Sequence, residues 1–147
     1  MRTSINALPG AALSLLLAAT ACNTPHQMND TKSLQGYWTC VSAIVDGKPL
    51  PPATVQLLRL TLTADRYKTE KGTDVLFDST YRIDASKHPA EISMVGTEGD
   101  LAGKEALGIY LLDGNSLQMC YTMPGDPRPK SFDSAPGSKA YFVTWKR

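Results

Sequence analysis

The sequence predicts an all-β domain folded as a single antiparallel barrel of about eight strands. Short β-rich runs are separated by turn signals at sandwich-or-barrel spacing, with Asp46-Gly47 and Asp113-Gly114-Asn115 the plainest of them. No β-α-β alternation is visible, and helical character is nearly confined to the N-terminal apolar run. From Leu34 to Arg147 the chain suffices for one domain and not for two. For one small core, a sheet closed on itself is the arrangement that leaves no exposed edge.

Taken in order, Tyr37 to Val45 is a β-rich run that ends at the Asp46-Gly47 turn. Pro49-Leu50-Pro51-Pro52 breaks the ladder, and Ala53 to Leu58 suits a helical turn, because proline is tolerated at a helix start. Leu60-Thr61-Leu62-Thr63 alternates apolar and polar, and Ala64-Asp65 turns the chain into a strand over Tyr67 to Lys71. Val75 to Ile83 and Glu91 to Val95 continue the meander, with Asp84 to Pro89 as the loop between them. Ala106 to Leu112 and Ser116 to Tyr121 flank the clearest hairpin signal, and Ala140 to Lys146 is the last strand. Met123 to Ser138 holds four prolines and two glycines and is longer than an ordinary hairpin loop, with Lys130 to Asp133 expected to add a short strand. Such a loop suits either a functional surface or stiff packing over the barrel.

The first residues carry an address. From Ala7 to Ala21 the chain is uncharged and mostly Ala and Leu, shorter than the ~20 residues a membrane-spanning helix needs. Small residues Ala19, Thr20 and Ala21 precede Cys22, and Arg2 supplies an N-terminal charge. The run Leu15-Leu16-Leu17-Ala18-Ala19-Thr20-Ala21-Cys22 resembles a bacterial lipoprotein signal. That resemblance implies cleavage before Cys22, removal of residues 1–21 and lipidation of Cys22 with acyl chains such as palmitate. Asn23 stands where an Asp would signal retention at the inner membrane, which implies an extracytoplasmic protein anchored at the periplasmic face of the outer membrane. Residues 22–33 are polar and without periodicity and read as a tether. Residues 34–147 form the barrel domain.

Without Arg2 the chain has 14 Lys and Arg against 14 Asp and Glu. This balance argues against a nucleic-acid groove and against a polybasic patch for anionic lipid. Setting Cys22 aside leaves Cys40 and Cys120, an even number in a compartment where disulfides persist. A bridge would close a loop of about 80 residues, worth ~4 kcal/mol in the chain-entropy model. Against it, strand alternation turns Cys40 inward and Cys120 outward, and bridge geometry needs converging Cβ atoms.

Groups for chemistry are sparse, and the sequence is not read as that of an enzyme. His26 lies in the tether and His88 in a loop, neither with a metal-ligand partner at useful spacing. Ser42 and Ser93 lack a nucleophile-elbow sequence. Glu91, Glu98, Asp100 and Glu105 surround a glycine-containing loop and read as a solvated cluster. No metal, cofactor or catalytic group is therefore expected. The stronger candidate is a cavity for a small apolar ligand inside the barrel. With Trp38 inward, period two turns Cys40, Ser42 and Ile44 inward as well. Leu107, Ile109 and Leu111 are taken as one inward set, and Leu117, Met119 and Tyr121 as another. The expected ligand contacts are Trp38, Ile109, Leu111, Leu117, Met119 and Tyr121. The competing expectation is a filled barrel that works through its surface, as an envelope interaction module or inhibitor using the Met123 to Ser138 loop.

Gly36-Tyr37-Trp38 resembles the Gly-x-Trp signature of lipocalins. In that family the tryptophan plugs one end of an eight-stranded barrel beneath a basic residue of the last strand, a place Lys146 and Arg147 suit here. A wider set of landmarks is Leu34-Gln35-Gly36-Tyr37-Trp38, Asp46-Gly47-Lys48-Pro49, Leu107-Gly108-Ile109-Tyr110, Leu117-Gln118-Met119-Cys120-Tyr121, Arg128-Pro129 and Pro136-Gly137-Ser138. Together these resemble an uncharacterised lipocalin-like domain family abundant in Planctomycetes. The resemblance implies the fold and brings no activity.

Overall fold

In the computed structural model, residues 25–147 are described, with side chains from Asp30 onward. Helix α1 (Pro25–Leu34) leads into β1 (Gly36–Val45), β2 (Lys48–Pro49), the single turn α2 (Pro52–Val55) and β3 (Leu58–Leu62). Strands β4 (Arg66–Lys71), β5 (Asp74–Asp84), β6 (Ala90–Gly96), β7 (Glu105–Asp113), β8 (Ser116–Thr122) and β9 (Tyr141–Lys146) follow. From β3 to β9 each strand pairs antiparallel with the next. Strand β1 closes the circle, pairing with β3 through Gly36–Thr39 and with β9 from Thr39 to Val45. β2 is a two-residue extension paired to β1 alone, so the closed wall has eight strands. The barrel expected from the sequence is the fold observed.

One end of the barrel is plugged. Trp38 is fully buried at 0% exposure, and its indole N–H donates to the Leu34 carbonyl at 2.9 Å. The Arg147 guanidinium lies 4.4 Å from the centre of the same ring and donates to the carbonyls of Ser33 at 2.9 Å and Gln35 at 3.1 Å. The cation expected over Trp38 is thus Arg147. Leu34 itself is buried, and the Tyr110 hydroxyl donates to Asp30 at 2.8 Å, tying α1 across the plugged end. The segment read as a structureless tether therefore ends as a helix. Polar residues without an apolar period give no sequence signal for it, and its contacts with the barrel supply the stability instead.

The phases of the strands differ from strict alternation in two places. The β1–β9 register shifts between Cys40 and Ser42, a bulge that adds one residue and reverses the faces beyond it. Ala43 is therefore buried in the core and Ser42 is exposed, correcting the inward expectation for Ser42 and Ile44. In β7 the core face is Ala106, Tyr110 and Leu112. Ile109 and Leu111 point the other way, Ile109 into a separate outer cluster with Cys120 and Ala140, while Leu111 is 50% exposed. The reason is the segment between β8 and β9, which lies over the outside of β6 to β9. Phe132 packs with Phe142 at 6.3 Å and against the cluster containing Ile109, so β7 and β8 are covered on both faces and alternation loses its meaning.

This segment is held by hydrogen bonds, without the short strand expected at Lys130 to Asp133. Arg128 donates to the Ile92 and Gly108 carbonyls at 2.7 and 2.5 Å and to the Ser93 hydroxyl at 3.0 Å. The Thr122 hydroxyl donates to the Pro127 carbonyl at 2.8 Å, and the Ser134 hydroxyl to that of Ala140 at 2.7 Å. With prolines at 127 and 129 lacking an N–H, side chains rather than a ladder fasten it.

Replacing Trp38 by Ala is expected to lose ~3–5 kcal/mol of stability, the range for deleting a buried aromatic. Arg147→Ala should lose only about 1 kcal/mol, because its cation–π contact is at an exposed side chain. Guanidinium titration of both variants measures the difference, and a Trp38→Ala loss under ~1 kcal/mol would make the plug peripheral.

Candidate functional site

Opposite the plug the barrel is hollow. A cavity of 290 Å³ is lined by Ala43 and Val45 of β1, Leu58 of β3, Thr69 of β4, Leu76 and Phe77 of β5, Ala106 of β7, Tyr121 of β8 and Val143 and Trp145 of β9. Leu50, Leu101, Met123 and Tyr141 complete it from the rim. None of these side chains is charged. Leu76, half exposed, marks the open side, with Val75 and Leu57 exposed near it. Trp145, at 2% exposure, lies at the inner limit. Hollows of 420 and 430 Å³ also occur, but they are open grooves on the outer wall, one between β1 and α2 and one beside His88 and Pro89. A concave apolar interior with few polar groups is what small-molecule sites share, so the barrel cavity is the candidate.

Local sequence shapes it. The bulge in β1 turns Ala43 and Val45 inward, and Ala106 opposite is equally small. Gly108 gives Tyr121 room: a Cβ there would lie 2.8 Å from the Tyr121 Cβ and 2.9 Å from the Cys120 carbonyl oxygen. The Tyr121 ring stacks on Tyr141 at 5.1 Å, forming one wall.

Of the residues expected to contact ligand, only Tyr121 lines the cavity. Trp38, Leu117 and Met119 face inward but are fully buried in the packed half. Ile109 and Leu111 are on the outer face, as described above. Cys22 lies outside the described residues. Among the lining residues that sequence reading missed are Ala43, Val45, Phe77, Ala106, Val143 and Trp145. For the last two, the alternation Val143–Trp145 ahead of Arg147 was a usable signal, and for Ala43 nothing in the sequence announces the bulge.

Cys40 and Cys120 are free thiols. Cys40 packs against the barrel core and Cys120 belongs to the outer cluster, so the wall stands between them as alternation expected, and the bridge is not formed. Burial pushes the Cys40 thiol from 9.0 up to about 11. Burial likewise raises the phenols of Tyr67 and Tyr121 well beyond the usual range, and in Tyr121 the neighbouring Tyr141 adds to it. These groups stay neutral at physiological pH, so the interior carries no charge.

The carboxylates read as a cluster are separated in space. Glu91 approaches Arg128 at 3.6 Å and Glu105 approaches Arg82 at 2.6 Å, while Glu98 and Asp100 are exposed around the 3-10 turn Gly99–Leu101. His88 is exposed, and among the described residues no three His, Cys, Asp or Glu side chains converge on a metal position. No described helix is long and apolar enough to cross a membrane.

Fold and site together define a lipocalin-like barrel, plugged by tryptophan at one end and hollow at the other. Comparison with family models, with curated proteins and with solved structures gives no significant match for this chain.

Thiol labelling of denatured, unreduced protein should count both Cys40 and Cys120 as free, and labelling of neither would contradict the separation by the wall. The raised groups also set a pH dependence. Each keeps its proton in the folded barrel at pH values where the unfolded chain gives it up. Stability contributed by Cys40 should therefore hold below about pH 9 and fall as pH rises through about 11, which urea titrations at alkaline pH against Cys40→Ala will detect.

Proposed function

We propose that this protein is an envelope lipoprotein whose lipocalin-like domain binds a small apolar molecule inside the barrel. The observation that carries the reading is the uncharged 290 Å³ cavity at the end opposite the Trp38 plug. At about 30 Å³ per non-hydrogen atom, the share of a water molecule in the liquid, that volume accommodates on the order of ten atoms. Exposed Leu57, Val75 and Leu76 at the open side suit the arrival of an apolar guest.

The address rests on the sequence alone. The run ending in Cys22 supports cleavage, triple acylation and anchoring at the periplasmic face of the outer membrane. The landmark residues support membership of the lipocalin-like family abundant in Planctomycetes, and the reading is of a carrier or sensor rather than an enzyme. The envelope surface module is the weaker reading, because the Met123 to Ser138 loop is fastened to the barrel by Arg128, Thr122 and Ser134 and its aromatic Phe132 faces inward onto Phe142.

Mass spectrometry of the mature N-terminus should find an acylated Cys22, and a retained Met1 or an unmodified Cys22 would refute the address. Native mass spectrometry of protein purified from its own membrane should find a small adduct. Ala106→Phe, which fills the cavity, should abolish both the adduct and binding of an apolar dye, with a stability change within ~1–3 kcal/mol. Undiminished dye binding by that variant would place the site elsewhere.

A further inference from the structure

The cavity is uncharged from its inner limit to its rim. The rim residues Leu50, Leu101, Met123 and Tyr141 bear no charge, and neither does any side chain deeper in the lining. Half-exposed Leu57, Val75 and Leu76 extend this apolar surface outward. A long-chain amphiphile that entered tail first would leave its head group at that rim. An ionised carboxylate or phosphate there would give up part of its water, and no lysine, arginine or histidine among the lining residues would replace it.

Length is limited as well as charge. The hollow of 290 Å³ holds on the order of ten non-hydrogen atoms, fewer than a palmitate-length chain carries. The interior outside it is packed: Trp38, Leu117 and Met119 are fully buried and do not border the hollow. Nor is the wall at Tyr121 free to retreat. A Cβ at Gly108 would lie 2.8 Å from the Tyr121 Cβ, so that residue already sits as close to β7 as a glycine permits. Its ring is stacked on Tyr141 at 5.1 Å. Forcing such packing apart to admit a longer chain is unfavourable, and the surplus methylenes would remain in water.

Resting on the ligand-binding reading above, we infer that the cavity selects an uncharged guest of about ten non-hydrogen atoms and rejects the ionised, long-chain amphiphiles of which a membrane is made. Specificity is a difference between affinities, and an apolar rim acts on the competitor by leaving its head desolvated and unpaired. A carrier of fatty acids or phospholipids would need the reverse: a cation at the mouth for the head and a longer void for the tail. For a protein anchored beside acyl lipids, this selection keeps the site free for a scarcer neutral molecule.

Two homologous series test it on the full chain, each read by displacement of an apolar dye at neutral pH: straight-chain alcohols from hexanol to dodecanol, and the carboxylates of the same lengths. Alcohol affinity is expected to rise about fourfold per methylene, the equivalent of ~0.8 kcal/mol per buried CH₂, and to level off near nonanol or decanol. Each carboxylate should bind about tenfold or more weakly than its alcohol. Met123→Lys sets an ammonium at the rim on a similarly unbranched stem and should cut the alcohol-to-carboxylate ratio about fivefold. Should that variant not fold, the two native series decide alone. A rise that continues through dodecanol would overturn the size limit. Carboxylates that match or exceed their alcohols would overturn the exclusion of charge. Displacement by neither series, with Ala106→Phe still abolishing dye binding, would overturn this guest class and leave the cavity standing. Ala106→Phe indistinguishable from the native chain in dye binding would remove the cavity reading itself.

Discussion

The barrel depends on how its plugged end is closed. Trp38 sits at the start of β1, where that strand still pairs with β3, one residue before it also meets β9. The indole thus lies at the seam where the sheet becomes a cylinder. Its N–H goes to the Leu34 carbonyl at the end of α1, and its face is covered by Arg147, the last residue of the chain. Arg147 in turn donates to Ser33 and Gln35. First strand, last strand and preceding helix are joined through one ring, with nearly all the polar groups satisfied by backbone. Such a joint removes the two strand edges that an open sheet would expose, and the planar fork of arginine fits two carbonyls and a ring face together where a lysine would not.

A barrel held firmly at one end has no need of a filled interior at the other. Trp38, Leu117 and Met119 are fully buried in the core and do not line the hollow, whereas Ala43 and Ala106 are small inward residues among the larger Leu58, Phe77, Tyr121 and Trp145 that do. Gly108 belongs to the same design in another way, since the space it leaves is used by Tyr121, whose ring builds the cavity wall. The hollow is therefore bounded by residues whose own positions are fixed by close packing, which is what a site needs to hold a guest in one orientation.

The strands were legible because turns are local chemistry. Asp46-Gly47 adopts positive φ at both positions, 49° and 78°, as a tight hairpin requires, and the Gly114 turn lies where the sequence marks it. The Trp38 plug was legible for a similar reason: a short motif and a basic terminus. The side-chain phases were not. In β1 one inserted residue near Val41 reverses everything after it, and bulges leave no compositional trace. In β7 the sequence Ala106-Leu107-Gly108-Ile109-Tyr110-Leu111-Leu112 is apolar on both faces, because the core takes one and the Phe132 segment takes part of the other. A pattern with two covers cannot reveal which one is the inside. The proline-rich segment that caused the misreading was itself recognisable only as long, since what it packs against is set by Arg128 and Thr122 reaching strands distant in sequence.

The two covers also bear on what the cavity is for. Were the barrel merely a scaffold for the outer segment, the interior would gain most from full packing, since each unfilled volume of methyl size loses about 1 kcal/mol. Larger residues at positions 43 or 106 are simple changes that would supply it. Instead those positions hold alanine, and both border the void. A void kept open on the side away from the plug, and bordered by no charged side chain, is the feature on which the proposed binding of an apolar molecule rests.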